Sequence, residues 1–133
     1  MMRATLAGAI VGVAVFLAAA PALAHHSMVA EFSQQKPVTL KGTVTKLLWT
    51  NPHGWIHLDV KGPDGSIEKW EVETGSPAKM TRRGLKRTYF TIGCPVIIGG
   101  YAARDGEHKA AGMIVFFPER EAAGKEASFT LGR

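Results

Sequence analysis

The sequence predicts an all-β domain of five strands with one short helix. Three observations lead to this prediction: apolar and polar residues alternate in several short segments, clusters of Gly, Pro, Asn and Asp separate those segments, and one helix signal lies between the third and fourth. This order of elements is that of an OB-fold, a small five-stranded Greek-key β-barrel. A small β-sandwich would bury the same apolar faces and is the alternative.

The first 24 residues are expected to be a signal peptide and not part of the fold. A basic start at Arg3 precedes an apolar, uncharged run over residues 5–20, and residues 22–24 (Ala-Leu-Ala) have the small-x-small pattern that signal peptidase recognises. Because the run approaches the roughly 20 residues that span a bilayer, an uncleaved anchor is the alternative. We expect cleavage after Ala24, a periplasmic domain and no membrane span after cleavage.

The first three strands form a predicted meander after a polar N-terminal arm, residues 25–36. Alternation over residues 37–49 puts Val38, Leu40 and Val44 on one face, and a slip at its end predicts a bulge or bend. The turns "NPHG" and "KGPDGS" then bound two further strands, "WIHLDV" and "IEKWEVE". The residues of these two strands expected in the core are Ile56, Leu58, Val60, Trp70 and Val72.

A short helix and two more strands complete the predicted barrel domain, residues 37–118. Ser76 suits the N-cap and Pro77 the first helical position, and Gly84 ends the helix. The strands "VIIGGYAA" and "AAGMIVFF" follow, joined by the hairpin "RDGEHK". Residues 119–133 are predicted to be a C-terminal tail or an extra strand.

Composition limits the classes of partner. The mature chain of about 109 residues suits one domain, and Cys94, the single cysteine, allows no internal disulfide. The formal charge of +5 comes from residues spread along the chain, without a basic block that would indicate nucleic acid. We therefore expect a monomer whose partner is an envelope protein or a small ligand.

Two adjacent histidines follow the expected cleavage site and make metal binding a candidate function; the alternative is a terminus that binds copper only weakly, as any such terminus would. As the first residue, His25 would offer an amine and an imidazole to one ion, and His26 adds a second imidazole. Such nitrogen ligands suit divalent copper best, with zinc less favoured. If the arm folds back, His53 in the "NPHG" turn could complete a histidine brace, and His57 is a further candidate ligand. The alternative for His53 is a hydrogen bond that holds the turn.

The remaining polar residues indicate binding or structure more than catalysis. Trp55 and His57, on the outward face of the second strand, form the candidate ligand or partner face. Glu73 with Arg82 and Arg83 predicts an ion pair that fixes the helix to the barrel. No nucleophile with an adjacent base is evident in the sequence, so no catalytic residue is assigned and an enzyme is not expected.

Several motifs taken together resemble one protein family. They are "HHS" with a following "EF", then "TNPH", "WEVETGSP" and "RDG". Their combination is similar to a family of small exported bacterial proteins of unknown function, and the resemblance covers nearly all of the mature chain. It implies a signal peptide and a periplasmic OB-like domain, but no established activity. His57 departs from the pattern, where an aromatic such as Tyr is more usual.

These observations favour three classes of function, in order. The first is a periplasmic binding protein that holds copper through His25, His26 and His53. The second is a metal-free OB domain whose face around Trp55 and His57 binds an envelope protein or ligand. The third, a copper-dependent oxidase or monooxygenase, ranks last because no acid–base partner is evident in the sequence.

Overall fold

A computed structural model describes residues 30–132. The predicted signal peptide, His25 and His26 lie outside these residues. Within them, no helix is long and apolar enough to cross a membrane. The elements are β1 (Phe32–Leu48), β2 (Trp55–Lys61), β3 (Ile67–Glu73), α1 (Pro77–Arg82), a 3-10 turn (Arg87–Tyr89), β4 (Pro95–Ala103), β5 (Lys109–Phe116), α2 (Pro118–Ala122) and β6 (Ser128–Thr130).

The strands form a ring of mainly antiparallel β-structure, which confirms the all-β prediction. Their order is β3-β2-β1-β4-β5-β6, and β3 also pairs with β5 in parallel, so that β1 to β5 close on themselves. Apolar side chains from all six strands and α1 fill the interior. The largest fully buried ones are Ile56, Leu58, Met80, Leu85, Ile98 and Leu131.

Strand β1 is longer than the sequence predicts, because it begins at Phe32 and not at Pro37. Phe32 is buried and lies opposite Ala103 of β4. Because these residues are far apart in the chain, the local sequence pattern does not reveal this pairing. The register then shifts before Pro37, where the polar run "SQQK" interrupts the alternation. The bulge predicted near the end of the strand is present between Val44 and Lys46.

Most local predictions for β2, β3 and α1 are confirmed. The Ser76 side chain accepts a hydrogen bond from the Lys79 amide at 3.3 Å, Pro77 begins α1, and Gly84 has a φ of +92° just after the helix. Val72 is fully buried as expected. Trp70 is only half-buried: it packs against the core, and its indole also stacks on a hairpin residue and donates a part-buried hydrogen bond.

The C-terminal residues contribute to the core. The segment predicted as a tail or extra strand contains most of α2 and all of β6, which pairs with β5. Phe129 and Leu131 are buried, and the Gly75 amide donates to the Leu131 carbonyl at 2.7 Å. This segment therefore holds the start of α1 against the ring.

Candidate functional site

The loop between β1 and β2 carries His53 and is fixed by backbone hydrogen bonds to the end of β3. The Gly54 amide donates to the Gly75 carbonyl at 3.3 Å, and the Thr74 amide donates to the Gly54 carbonyl at 2.9 Å. A Cβ on Gly54 would lie 2.7 Å from the Thr74 hydroxyl, so that only glycine fits this close approach. The loop therefore presents His53 from a rigid backbone.

His53 forms a short contact with a buried carboxylate. Its Nδ1 lies 2.6 Å from Oε1 of Glu73, and the two side chains are 31% and 9% exposed. A carboxylate accepts hydrogen bonds only, so the proton of this contact lies on Nδ1. In the neutral imidazole the lone pair is then on Nε2, the nitrogen that a metal would bind.

Glu73, Arg82 and Arg83 were predicted to form an ion pair between helix and barrel, and the structure places them differently. Glu73 forms an ion pair with His53, twenty residues earlier in the chain. Arg83 follows α1 and donates from Nη1 to the Gly132 carbonyl at 2.9 Å, and Arg82 is exposed in the last turn of the helix. Arg83 thus fixes the helix to the C-terminal segment.

The outward face of β2 and β3 carries the predicted partner residues. Trp55 lies opposite Glu73 in the register and His57 opposite Glu71, and both Trp55 and His57 are half-buried. Nδ1 of His57 lies 3.9 Å from Oε1 of Glu71, which is longer than a hydrogen bond. His53 and His57 therefore approach different carboxylates, His53 within hydrogen-bond distance and His57 beyond it.

An open groove of about 500 Å³ lies between this face and the β4–β5 hairpin. The Trp70 ring stacks on the His108 ring, with 4.9 Å between centroids and 18° between planes. Trp70 also donates from Nε1 to Oε2 of Glu68 at 2.9 Å. This stack could not be predicted from Trp70 and "DGEHK", because no local pattern in the sequence reports that the hairpin packs against β3.

Metal ligands are sparse in the described part of the chain. Between residues 30 and 132, no group of three or more His, Cys, Asp or Glu is placed to hold an ion. His53 and Glu73 form a pair, and the predicted ligands His25 and His26 lie outside these residues. Any site that uses His53 therefore needs further donors.

Cys94 is buried immediately before β4, and burial raises the pKa of its thiol. Its Sγ lies 3.8 Å from the Tyr89 carbonyl. Because the thiolate is the nucleophile and metal ligand, a raised pKa and a closed environment both suppress the reactivity of this side chain. Its role is packing.

Comparison with known proteins gives a family and no further relative. No curated protein matches the chain, and no solved structure matches it either. A family described as "Family of unknown function (DUF6152)" matches residues 13–113, a range that includes β1 to β4 complete and the first part of β5. The chain therefore belongs to the family of unknown function DUF6152.

Proposed function

We propose that the chain is an exported binding protein that holds one copper ion, or less readily zinc. His53 would be the ligand from the folded domain, and His25 and His26 the ligands from the mature N-terminus. The observation that carries the proposal is the 2.6 Å contact between His53 Nδ1 and the buried Glu73 carboxylate. Metal-binding histidines typically donate their other ring N–H to a carboxylate in this way, which fixes the ring and raises its basicity.

The donor set fits divalent copper. Two or three imidazoles with a terminal amine are borderline nitrogen ligands, which divalent copper binds more tightly than other first-row metals. The α-amine of His25 is available to the metal only if the signal peptide is removed after Ala24. In this proposal the cleavage takes place on export to the periplasm. Since His53 and Glu73 alone are too few donors, the proposal requires the two terminal histidines.

The proposal includes an OB-type barrel as the scaffold. Its support is the topology: a β1-β2-β3 meander, a helix before β4, and a parallel β3–β5 pairing that closes the ring. The strands are also staggered as closure of a barrel requires. The stagger can be read by following paired residues around the ring. Starting at Leu48 of β1, the paired residues are Trp55, Glu73, Ala111, Tyr101 and finally Pro37. The path thus returns to β1 eleven residues away from the residue at which it began.

A copper titration of the processed protein tests the proposal. Intact mass would first establish His25 as the first residue. We expect tight binding of one equivalent, and at least a tenfold weaker affinity when a single Gly precedes His25, because the extra residue moves the amine away from the imidazole of His25. Equal affinity of the two forms would show that the terminus is not part of the site.

The groove favours a second function, a metal-free OB domain that binds an envelope protein or small ligand. Its volume of about 500 Å³ lies within the range of roughly 300–1,000 Å³ typical of ligand sites. It lies beside His57, on the β2–β3 face and under the β4–β5 hairpin, which is the surface that OB-folds use for ligands. For this function, the Gly extension would leave binding unchanged, whereas Trp55→Ala and His57→Ala would weaken it.

A further inference from the structure

Residues 79–87, which run from α1 into the 3-10 turn, form a strongly basic segment. Five of the sixteen Lys and Arg residues of the chain lie here: Lys79, Arg82, Arg83, Lys86 and Arg87. No stretch of nine residues elsewhere in the chain contains more than two. No Asp or Glu occurs between Glu73 and Asp105, so the segment carries no acidic residue of its own.

All five basic side chains are exposed, and between residues 30 and 132 none of them forms an ion pair. Arg83 donates to the Gly132 carbonyl, a hydrogen bond that leaves its charge in place. Lys69 differs from them, because its Nζ lies 3.4 Å from the Asp59 carboxylate. The charge of residues 79–87 is therefore not neutralised by the described part of the fold.

The neighbouring helix α2 reduces this charge only slightly. It packs beside the 3-10 turn, since Cζ of Arg120 lies 3.7 Å from the centroid of the Tyr89 ring. With Glu119, Arg120 and Glu121, α2 has a net charge of −1. Five cations less this one charge leave a local excess of four positive charges.

Burial of the apolar residues turns the basic side chains outward. Met80 of α1 and Leu85 after it are fully buried. Lys79 and Arg82 are three residues apart and therefore share one side of the helix, away from Met80. Lys86 follows Leu85 directly and is exposed. The cations thus form an outer surface over α1 and the 3-10 turn.

Ile92 adds an apolar side chain beside these cations. It is 69% exposed, the largest value among the large hydrophobic residues between residues 30 and 132. Its Cα can lie at most about 17 Å from that of Arg87, five residues earlier. The turn that carries it is fixed to β1, since the Gly93 amide donates to the Val44 carbonyl at 2.7 Å. The fold therefore holds Ile92 in water from an ordered backbone.

The end of β1 brings a second apolar side chain to this region. Leu48 is 37% exposed. Its neighbour Trp49 contacts Phe90, two residues before Ile92, with 6.0 Å between the ring centroids. Exposed apolar residues beside a basic surface are typical of proteins that lie on a membrane interface.

We propose that the surface formed by Lys79, Arg82, Lys86, Arg87 and Ile92 binds a bilayer that contains anionic lipids. The cations lie against the lipid phosphates, and Ile92 enters the head-group region. Cations alone would suit any acidic macromolecule, and the exposed Ile92 is what favours a bilayer. The inference goes beyond both proposed functions and uses neither the histidines nor the groove.

Co-sedimentation of the processed protein with lipid vesicles tests the proposal. The probe vesicles contain equal parts of phosphatidylglycerol and phosphatidylcholine, and the control vesicles contain phosphatidylcholine alone. We expect at least tenfold tighter binding to the anionic vesicles, and weaker binding as salt is added, because salt screens exposed charges. Inorganic phosphate should displace no more protein than chloride does at the same ionic strength.

Two pairs of charge variants separate this surface from the net charge of the protein. Arg82→Gln with Lys86→Gln removes two charges from the surface. Lys41→Gln with Lys61→Gln removes two exposed charges from β1 and β2. Because each basic residue near an anionic membrane strengthens binding about fivefold, the first pair should weaken it about 25-fold. The second pair should leave it within threefold.

A pair of apolar variants tests the contact of Ile92 with the bilayer. Ile92→Ser should weaken binding at least threefold, whereas Ile114→Ser, at a position of β5 that is 49% exposed, should leave it unchanged. The charge and apolar variants all alter exposed side chains, so thermal unfolding should show that each variant remains folded.

Four results would overturn the proposal. The first is equal binding, or no binding, to the two kinds of vesicle, and the second is equal weakening by the two charge pairs. The third is stronger displacement by phosphate than by chloride, which would indicate a site for free anions. The fourth is an effect of the first charge pair without any effect of Ile92→Ser, which would indicate an acidic macromolecule. None of them bears on copper binding, which the Gly extension tests separately.

Discussion

Removal of the Glu73 carboxylate is predicted to destabilise the domain through the loss of its contact with His53. The perturbation is a double-mutant cycle with Glu73→Ala, His53→Ala and the double variant. The pair is suited to this experiment because the Nδ1–Oε1 distance is 2.6 Å and the Glu73 side chain is only 9% exposed. The cycle isolates the interaction of the two side chains from the other effects of each substitution.

The expected coupling energy follows from the geometry. A hydrogen bond to a charged group contributes about 1.5–3 kcal/mol to stability. Because the His53 side chain is 31% exposed, we expect the lower end, about 1.5 kcal/mol. In a domain of this size about 1 kcal/mol corresponds to roughly 4–8 °C in Tm, so the coupling corresponds to roughly 6–12 °C.

Urea and thermal unfolding at neutral pH measure this coupling. The matched control is the cycle for His57 and Glu71, whose Nδ1–Oε1 distance is 3.9 Å and whose carboxylate side chain is 45% exposed. This control pair should couple by less than about 0.5 kcal/mol. Equal coupling in the two cycles, or less than about 0.3 kcal/mol between His53 and Glu73, would refute the reasoning.

Three further predictions concern packing. Leu131→Ala should destabilise by about 2–5 kcal/mol in urea unfolding, because this side chain is fully buried; Ile114→Ala, at a position that is 49% exposed, should change stability much less. Gly100→Ala should cost about 2–3 kcal/mol or prevent folding, because its Cβ would overlap the Ala111 carbonyl; a wild-type Tm would contradict this contact. Cys94 should react with a maleimide only after addition of denaturant, because burial keeps its thiol protonated and closed to solvent; fast labelling of the native protein would contradict its placement.

The regular parts of the fold could be predicted from sequence because they have local signals. Alternation identified β2, since Ile56 and Leu58 face the interior while His57 faces outward. Capping chemistry at Ser76 located α1. The start of β1 and the strand β6 depend instead on long-range pairing, and the runs "FSQQK" and "SFT" contain too few apolar residues to report it.

The candidate site was less predictable than the fold. His53 was a candidate ligand from its turn, but its partner Glu73 is twenty residues later and was assigned to arginines. Only the register that sets Trp55 opposite Glu73 brings the carboxylate to this loop. The groove likewise is lined by Trp70 and His108, which stack on each other but are far apart in the chain and share no motif.

Electron paramagnetic resonance of the processed protein with one equivalent of Cu(II) tests most directly whether His53 is a metal ligand. The spectra of the wild type, His53→Ala and the control His57→Ala would be compared under identical conditions. The proposed site predicts that His53→Ala alters the copper hyperfine splitting and removes one nitrogen coupling, while His57→Ala leaves the spectrum unchanged. Identical spectra for the wild type and His53→Ala would contradict a copper site that includes this histidine.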